Sequence, residues 1–195
     1  MTRLLVLTDL RGNRTVASLI KIFSISLKVN YIVLLANTIS PTIIADLAKS
    51  NLKIIGLAGN LDDPSTIDAF KKHGLFVESR FMDLDGLKAF FTSLAFNESL
   101  KKINTSDKAE VLLTYYPGLK YCCCRNGYVE TIDYLVDILK PRIVITGKCI
   151  EPCYNGYVAS PGAGYRGYSL LINNTENIWL KFINLYELLY SKLPV

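Results

Sequence analysis

Asp9-Leu10-Arg11-Gly12-Asn13 follows an apolar strand-like run, Leu4-Leu5-Val6-Leu7-Thr8, and leads into a helix-like segment. A carboxylate at a strand end, with a second side chain two residues on, can aim both groups at one metal ion. Such a ligand must offer a free lone pair, as carboxylate, imidazole and thiolate do. Arg11 carries a permanent positive charge and accepts nothing. The frame of a metal site is present, and one of its ligands has become a cation. The turn Gly147-Lys148-Cys149-Ile150, after another apolar run, puts a second cation in a comparable place.

These residues need a scaffold that brings strand ends together. Ile32-Val33-Leu34-Leu35 ends in Ala36-Asn37, and Ile54 to Ala58 ends in Gly59-Asn60-Leu61-Asp62-Asp63-Pro64. Val111 to Thr114 ends in Tyr115-Tyr116-Pro117, and Ile143 to Thr146 ends in the Lys148 turn. Ligand sites of open α/β sheets gather at such carboxyl ends. Between the strands, the pattern predicts helices over Asn13–Val29, from Ser40-Pro41 onward, and from Pro64 to about His73, with Gly74 closing the last. Asp85-Gly86 between strand-like runs predicts a hairpin and marks a switch to antiparallel pairing. Phe96–Ile103 reads as a short helix. Tyr128–Leu139 reads as a helix with Val129, Ile132, Leu135, Val136 and Leu139 on one stripe. Tyr157–Ser160, Ser169–Asn173 and Ile178–Ile183 read as strands, with a turn over Asn173–Glu176, and Leu185–Leu193 as a terminal helix. Periodicity alone gives an α/β or α+β chain of two or more layers.

In order along nearly the whole chain, these five strand-end blocks resemble the calcineurin-like metallophosphoesterases, in particular the small one-domain members of the YfcE and Vps29 type. The resemblance implies a four-layer αββα sandwich of two mixed β-sheets, formed as one domain over residues 1–195. It also implies two metal ions held by Asp, His and Asn side chains of the loops, with a further His assisting catalysis. Carried over residue by residue, Asp9 and Asn60 match, and Asp62 keeps the acid of its turn. Arg11 stands where the first-loop His belongs, Asn37 where the bridging Asp belongs, and Leu61 where the catalytic His belongs. Tyr115, Lys148 and Ile150 occupy the other three imidazole positions. The one His of the chain, His73, lies outside every block. Two divalent ions about 3.5–4 Å apart need a bridging anion and negative ligands. Asn37 is neutral, and Arg11 and Lys148 add positive charge. The expectation is therefore a catalytically inactive metallophosphoesterase-like protein without catalytic residues, resident metal or other cofactor, acting as a scaffold or binding protein for a protein partner or a second copy. Two alternatives stay open. One is a metal-free binder of phosphate or nucleotide through Arg11 and Lys148. The other is a residual phosphodiesterase using one divalent ion, manganese or zinc, at Asp9, Asn60 and Cys149.

Arg11 and Lys148 themselves admit two readings. They compensate charge in place of the two ions, holding Asp9, or they stand open as an anion pocket. All five cysteines, Cys122, Cys123, Cys124, Cys149 and Cys153, fall in two loops after residue 121. They could form a thiolate metal site, an inter-loop disulfide, or free thiols, and the odd number leaves at least one unpaired. Tyr115, Tyr116, Tyr121, Tyr154, Tyr157, Tyr165 and Tyr168 crowd the same half, where they could stack bases, form a protein interface, or sit half-buried.

The chain has 195 residues, half of them apolar, which suffices for one substantial core. The net charge of +5 comes from scattered basic residues, which argues against a nucleic-acid surface. Val16–Val29, interrupted by Lys21 and Lys28, is too short and polar to span a bilayer. Met1-Thr2-Arg3 runs straight into a strand, so no signal peptide and a cytoplasmic location are expected. The absence of Gln and the wealth of Ile, Leu and Lys lean towards a thermophilic source.

Overall fold

The computed structural model describes residues 2–104, 106–124 and 127–192. Three parallel strands open it: β1 (Thr2–Leu7), β2 (Tyr31–Leu35) and β3 (Lys53–Leu57). They alternate with α1 (Arg14–Ser26), α2 (Pro41–Ala48) and α3 (Pro64–Lys72). Each helix begins where a side chain can satisfy its free N–H groups. Asn13 Oδ1 accepts from Val16 N, Ser40 Oγ from Ile43 N and Asp63 Oδ1 from Thr66 N. Proline follows the cap in α2 and α3. Gly74, with φ +67°, lies one residue past the C-cap of α3. Helix α1 stops at Ser26, three residues short of the expected Val29, because Lys28 turns left-handed (φ +53°).

The hairpin falls where Asp85-Gly86 places it. β4 (Arg80–Leu84) pairs antiparallel with β5 (Leu87–Thr92), and Asp85 and Gly86 both have positive φ. Next come α4 (Phe96–Lys102), β6 (Val111–Thr114), α5 (Glu130–Leu139) and β7 (Ile143–Thr146). Helix α5 begins at Glu130 rather than Tyr128, with Val129 as its N-cap. β8 (Cys153–Tyr154) and β9 (Val158–Ser160) follow; β8 is too short to leave a pattern in sequence, and Tyr157 lies outside β9. β10 (Tyr168–Asn174) and β11 (Ile178–Asn184) form the final hairpin, and α6 (Leu185–Lys192) ends the described chain. Leu193, expected in that helix, lies outside the described residues.

The strands form two mixed sheets, one ordered β11-β10-β1-β2-β3 and the other β4-β5-β6-β7-β9-β8. Alternation along each strand explains the layers. Leu4, Val6, Val33, Leu35, Ile55 and Leu57 point inward and meet Phe91, Val111, Leu113, Ile143 and Ile145 of the second sheet. Leu5, Leu7, Ile32, Leu34 and Ile54 point outward under the residues of α1, α2, α3 and α6. Phe90, Leu112 and Val144 do the same under α5. Parallel strands covered on both faces carry continuous apolar runs for this reason. The result is the four-layer αββα sandwich. No described helix is long and apolar enough to cross a membrane.

Candidate functional site

The carboxyl ends of β1, β2 and β3 meet those of β6, β7 and β9 along one rim. Thr8 bridges to Ala163 across the two sheets. Gly164 N donates to Thr8 O (2.6 Å) and Tyr165 N to Asp9 O (2.9 Å), which fixes the two sheets at this seam. The loop after β1 keeps pairing with the loop after β2: Asp9 N donates to Ala36 O, Arg11 N to Asn37 O and Gly12 N to Thr38 O. Asp9, Arg11, Ala36, Asn37, Ile39 and Lys148 all have positive φ. Non-glycine residues rarely adopt that region, and such outliers cluster at ligand sites.

A cleft of about 460 Å³ opens here, lined by Asp9, Arg11, Asn60, Leu61, Tyr115, Lys148, Cys149, Ile150 and Tyr165. Of the positions picked out in the sequence, Asn37 and Asp62 lie behind this lining, both buried. Asp62 accepts from Asn37 N (2.7 Å), Gly59 N (2.8 Å) and Ile39 N (2.8 Å), tying the β2 and β3 loops together. Burial nonetheless pushes its carboxyl above the usual value, with those donors opposing the shift. Gly59 is required in this turn, since a Cβ there would lie 2.2 Å from Asn37 Oδ1.

Asn37 links the buried groups. Its Oδ1 accepts from Leu61 N (3.0 Å), which fixes the amide's orientation. Its Nδ2 donates to Asp9 Oδ1 (2.9 Å) and to the Tyr115 hydroxyl oxygen. Asp9, 3% exposed, also receives the Tyr115 hydroxyl at 3.4 Å on Oδ1 and the Thr8 hydroxyl at 3.2 Å on Oδ2. Arg11 Nε stands 3.5 Å from the same Oδ1. Burial, then the Asp9 charge, pushes the Tyr115 phenol well above its ordinary value, so it remains a neutral donor.

The two cations behave differently. Arg11 pairs with Asp9 and lies 4.9 Å above the Tyr165 ring, its side chain 49% exposed. Lys148 has no ion pair among the described residues; its ammonium sits 4.2 Å over the Tyr116 ring. Charge compensation at Asp9 thus describes Arg11 and not Lys148. Asn60, Leu61 and Ile150 are exposed at the mouth. Tyr116 and Tyr165 face the two cations; in the sequence Tyr116 belongs to the strand-end block Tyr115-Tyr116-Pro117 and both belong to the tyrosine-rich half, without an assigned role. Their signal was position: Tyr116 follows the end of β6, and Tyr165 follows the Gly162-Ala163-Gly164 turn after β9.

The donor set facing the cleft contains one carboxylate and no imidazole among the described residues. Asn37 Oδ1 already accepts an N–H. Cys149, a ligand in the one-metal alternative, is disulfide-bonded to Cys124 and so offers no free thiolate. Cys123 pairs with Cys153, and Cys122 remains a free thiol. Tyr115, Tyr116 and Tyr165 gather at the cleft, whereas the Tyr121 and Tyr157 rings pack against each other elsewhere, tilted by 60° with centroids 5.6 Å apart. Tyr168 lies on β10 and Tyr154 is exposed on β8.

No family model and no curated protein matches the chain. Solved structures do. TT1561 of Thermus thermophilus shares 13% identity over 94% of this chain and 99% of its own, with a TM-score of 0.75. An archaeal phosphodiesterase shares 14% over 93% and 99%, with a TM-score of 0.58. Vacuolar Protein Sorting 29 from Cryptosporidium parvum shares 14% over 94% and 98%, with a TM-score of 0.50. The chain is similar to these proteins in fold, and that fold is metallophosphoesterase-like.

Proposed function

We propose that this chain is a catalytically inactive relative of the phosphoesterases that share its fold, and that it works by binding rather than hydrolysis. The observation that carries this reading is the Asn37 amide clamped between Asp9 and Tyr115 (2.9 Å to Asp9 Oδ1). A bridging position between two divalent ions calls for an anion. Here an N–H group points at the remaining carboxylate, and Arg11 approaches the same oxygen. The charge that two ions would supply comes from side chains instead. Without the ions there is neither an activated water nor a counter-charge for a phosphoryl group. Titration of the disulfide-intact protein with manganese or zinc should give no saturable binding at the cleft. Hydrolysis of an aryl phosphodiester with added manganese should not exceed that of Asp9→Ala. Hydrolysis that is lost in Asp9→Ala overturns the reading.

The surface of the first sheet carries features suited to binding. β11 is an edge strand paired only with β10, and it exposes Trp179 (68%). Ile25 of α1 (74%) and Tyr190 of α6 (71%) are exposed on neighbouring helices. Open edges and large exposed apolar side chains support a scaffold that docks a protein partner or a second copy. A protein-sorting protein among the structures of this fold supports the same reading. Sedimentation of wild type and Trp179→Lys separates the two: concentration-dependent mass abolished by the variant identifies a second copy. The proposal includes a cytoplasmic setting and a thermophilic source; the intracellular proteins of hyperthermophiles keep disulfides.

A second reading rests on Lys148. Among the described residues, an ammonium without a carboxylate partner, beside a half-exposed guanidinium and a single acid, leaves the cleft with excess positive charge, which suits phosphate or nucleotide. Thermal-shift titration with inorganic phosphate and ATP tests it. Stabilisation lost in Lys148→Ala supports anion binding, and no shift with either ligand excludes it.

A further inference from the structure

The cysteines form a cluster of their own beside the cleft. The loop after β6 is joined to the segment after β7 by Cys123–Cys153 and Cys124–Cys149, with Cα separations of 5.7 and 5.9 Å. The two bonds lie against each other. Cys149 Sγ is 3.8 Å from Cys153 Sγ, to which it is not bonded. The sulfurs of Cys123, Cys149 and Cys153 all lie within 4.8 Å of one another. Cys124, bonded to Cys149, brings the fourth sulfur alongside. A tetrahedral zinc ion with Zn–S bonds of about 2.3 Å has S···S edges of about 3.8 Å. Separated disulfides would reduce to separated thiol pairs. These would reduce to three thiols already within 4.8 Å of one another, with the Cys124 thiol next to that of Cys149.

The loops also stay together by contacts that do not pass through sulfur. Asn155 Nδ2 donates to Cys122 O (2.9 Å). The Asp133 carboxylate accepts from the backbone N–H groups of Leu119, Lys120 and Tyr121 at 3.0 to 3.1 Å, which fixes the approach to the Cys122–Cys124 run. Cys153 is held in register opposite Ser160 by β8–β9 pairing. Reduction therefore leaves the sulfur ligands close to one another.

We propose that in the reduced chain Cys123, Cys149 and Cys153, with Cys124 as fourth ligand, bind one soft divalent metal ion of the zinc class. Two molecules of a dithiol reductant each deliver two electrons and two protons. The two protein disulfides become four thiols, and the reductant leaves as two cyclic disulfides. Metal binding then releases the four thiol protons and forms four metal–sulfur bonds with no change in the metal's oxidation state. Since the ion binds only the reduced form, it stabilises that form by mass action. Cys122 stands apart, its sulfur near Leu119 O (3.7 Å). Cys149 also lines the cleft that holds Asp9, but Asp9 is not among the four sulfur ligands, and the site's existence does not depend on whether the cleft is catalytic.

The full-length chain is reduced with dithiothreitol, freed of reductant under nitrogen, and titrated with cobalt(II), then zinc. The expected result is one equivalent of cobalt showing thiolate charge-transfer absorption and the intense visible bands of tetrahedral cobalt, displaced by one equivalent of zinc. Asp9→Ala and Cys122→Ser should keep these bands, and Cys149→Ser/Cys153→Ser should lose them. Circular dichroism follows folding throughout. A reduced chain that is folded but shows no thiolate band overturns the inference. So does one that stays unfolded with cobalt present, or a band that persists in the double variant.

Discussion

At position 37 an amide donates where a carboxylate could only accept. Asn37→Asp would set a second anion against Asp9 Oδ1, at a spot where Asn37 Nδ2 now lies 2.9 Å away, and would take a donor from the Tyr115 hydroxyl. The variant should lose about 2–4 kcal/mol in guanidinium unfolding at neutral pH. Two close carboxylates raise one another's pKa, so the loss should shrink in mildly acid buffer. An equal loss at both pH values would show that the amide's donors do not matter. Tyr115 gives a pH test of the other sign. Its folded pKa is raised above the ordinary 10.0 by burial and by Asp9. Its contribution is thus complete below pH 10.0 and is lost as pH rises towards the folded value. Tyr115→Phe should cost about 1 kcal/mol at neutral pH through the lost hydrogen bonds. It should also flatten the decline in stability above pH 10.0, as read from unfolding midpoints across that range.

The elements hold the rim through close backbone approaches. Gly56 in β3 faces the Phe70 ring of α3, and a Cβ there would come within 2.1 Å of Phe70 Cε1. Phe70 is fully buried and cannot swing out. Gly56→Ala should therefore cost about 1–3 kcal/mol and lower the thermal midpoint. Because β3 leads into the Gly59–Asp62 turn, hydrogen exchange at Gly59 and Leu61 should rise with it. The strands, the three capped helices and the Asp85-Gly86 hairpin were legible because each rests on a local signal: an apolar run, a capping side chain, or a dipeptide suited to positive φ. The end of α1 and the strand β8 were not. The first is set by a left-handed turn at Lys28 that returns the chain to β2, and the second is a two-residue pairing that exists only because β9 lies beside it.

Over the whole molecule, the two disulfides brace the second sheet's loops across 30 and 25 residues of sequence separation. Opening one by Cys123→Ser should cost about 3 kcal/mol. Opening both should cost less than twice that, since the two closed loops overlap. Guanidinium midpoints of the single and double variants check this. Which cysteines pair could not be read from the sequence, because adjacent thiols at 122, 123 and 124 are equivalent until the backbone aims them. The partners of the two cations were hidden for the same reason. Arg11 and Lys148 look alike as replacements for imidazole, yet one meets a carboxylate and the other an aromatic ring. The sequence by itself determined the alternation of most strands and helices and the chemical types at the strand ends, since these follow from periodicity and residue identity along the chain; periodicity gave two or more layers, and the four-layer sandwich came from the resemblance. Tertiary structure alone decided which of those groups touch: the Asn37 amide on Asp9, Lys148 on Tyr116, and the sulfurs of Cys123, Cys149 and Cys153 within 4.8 Å of one another. Contacts between strand ends of two different sheets depend on how the sheets pack face to face, and no local pattern encodes that distance.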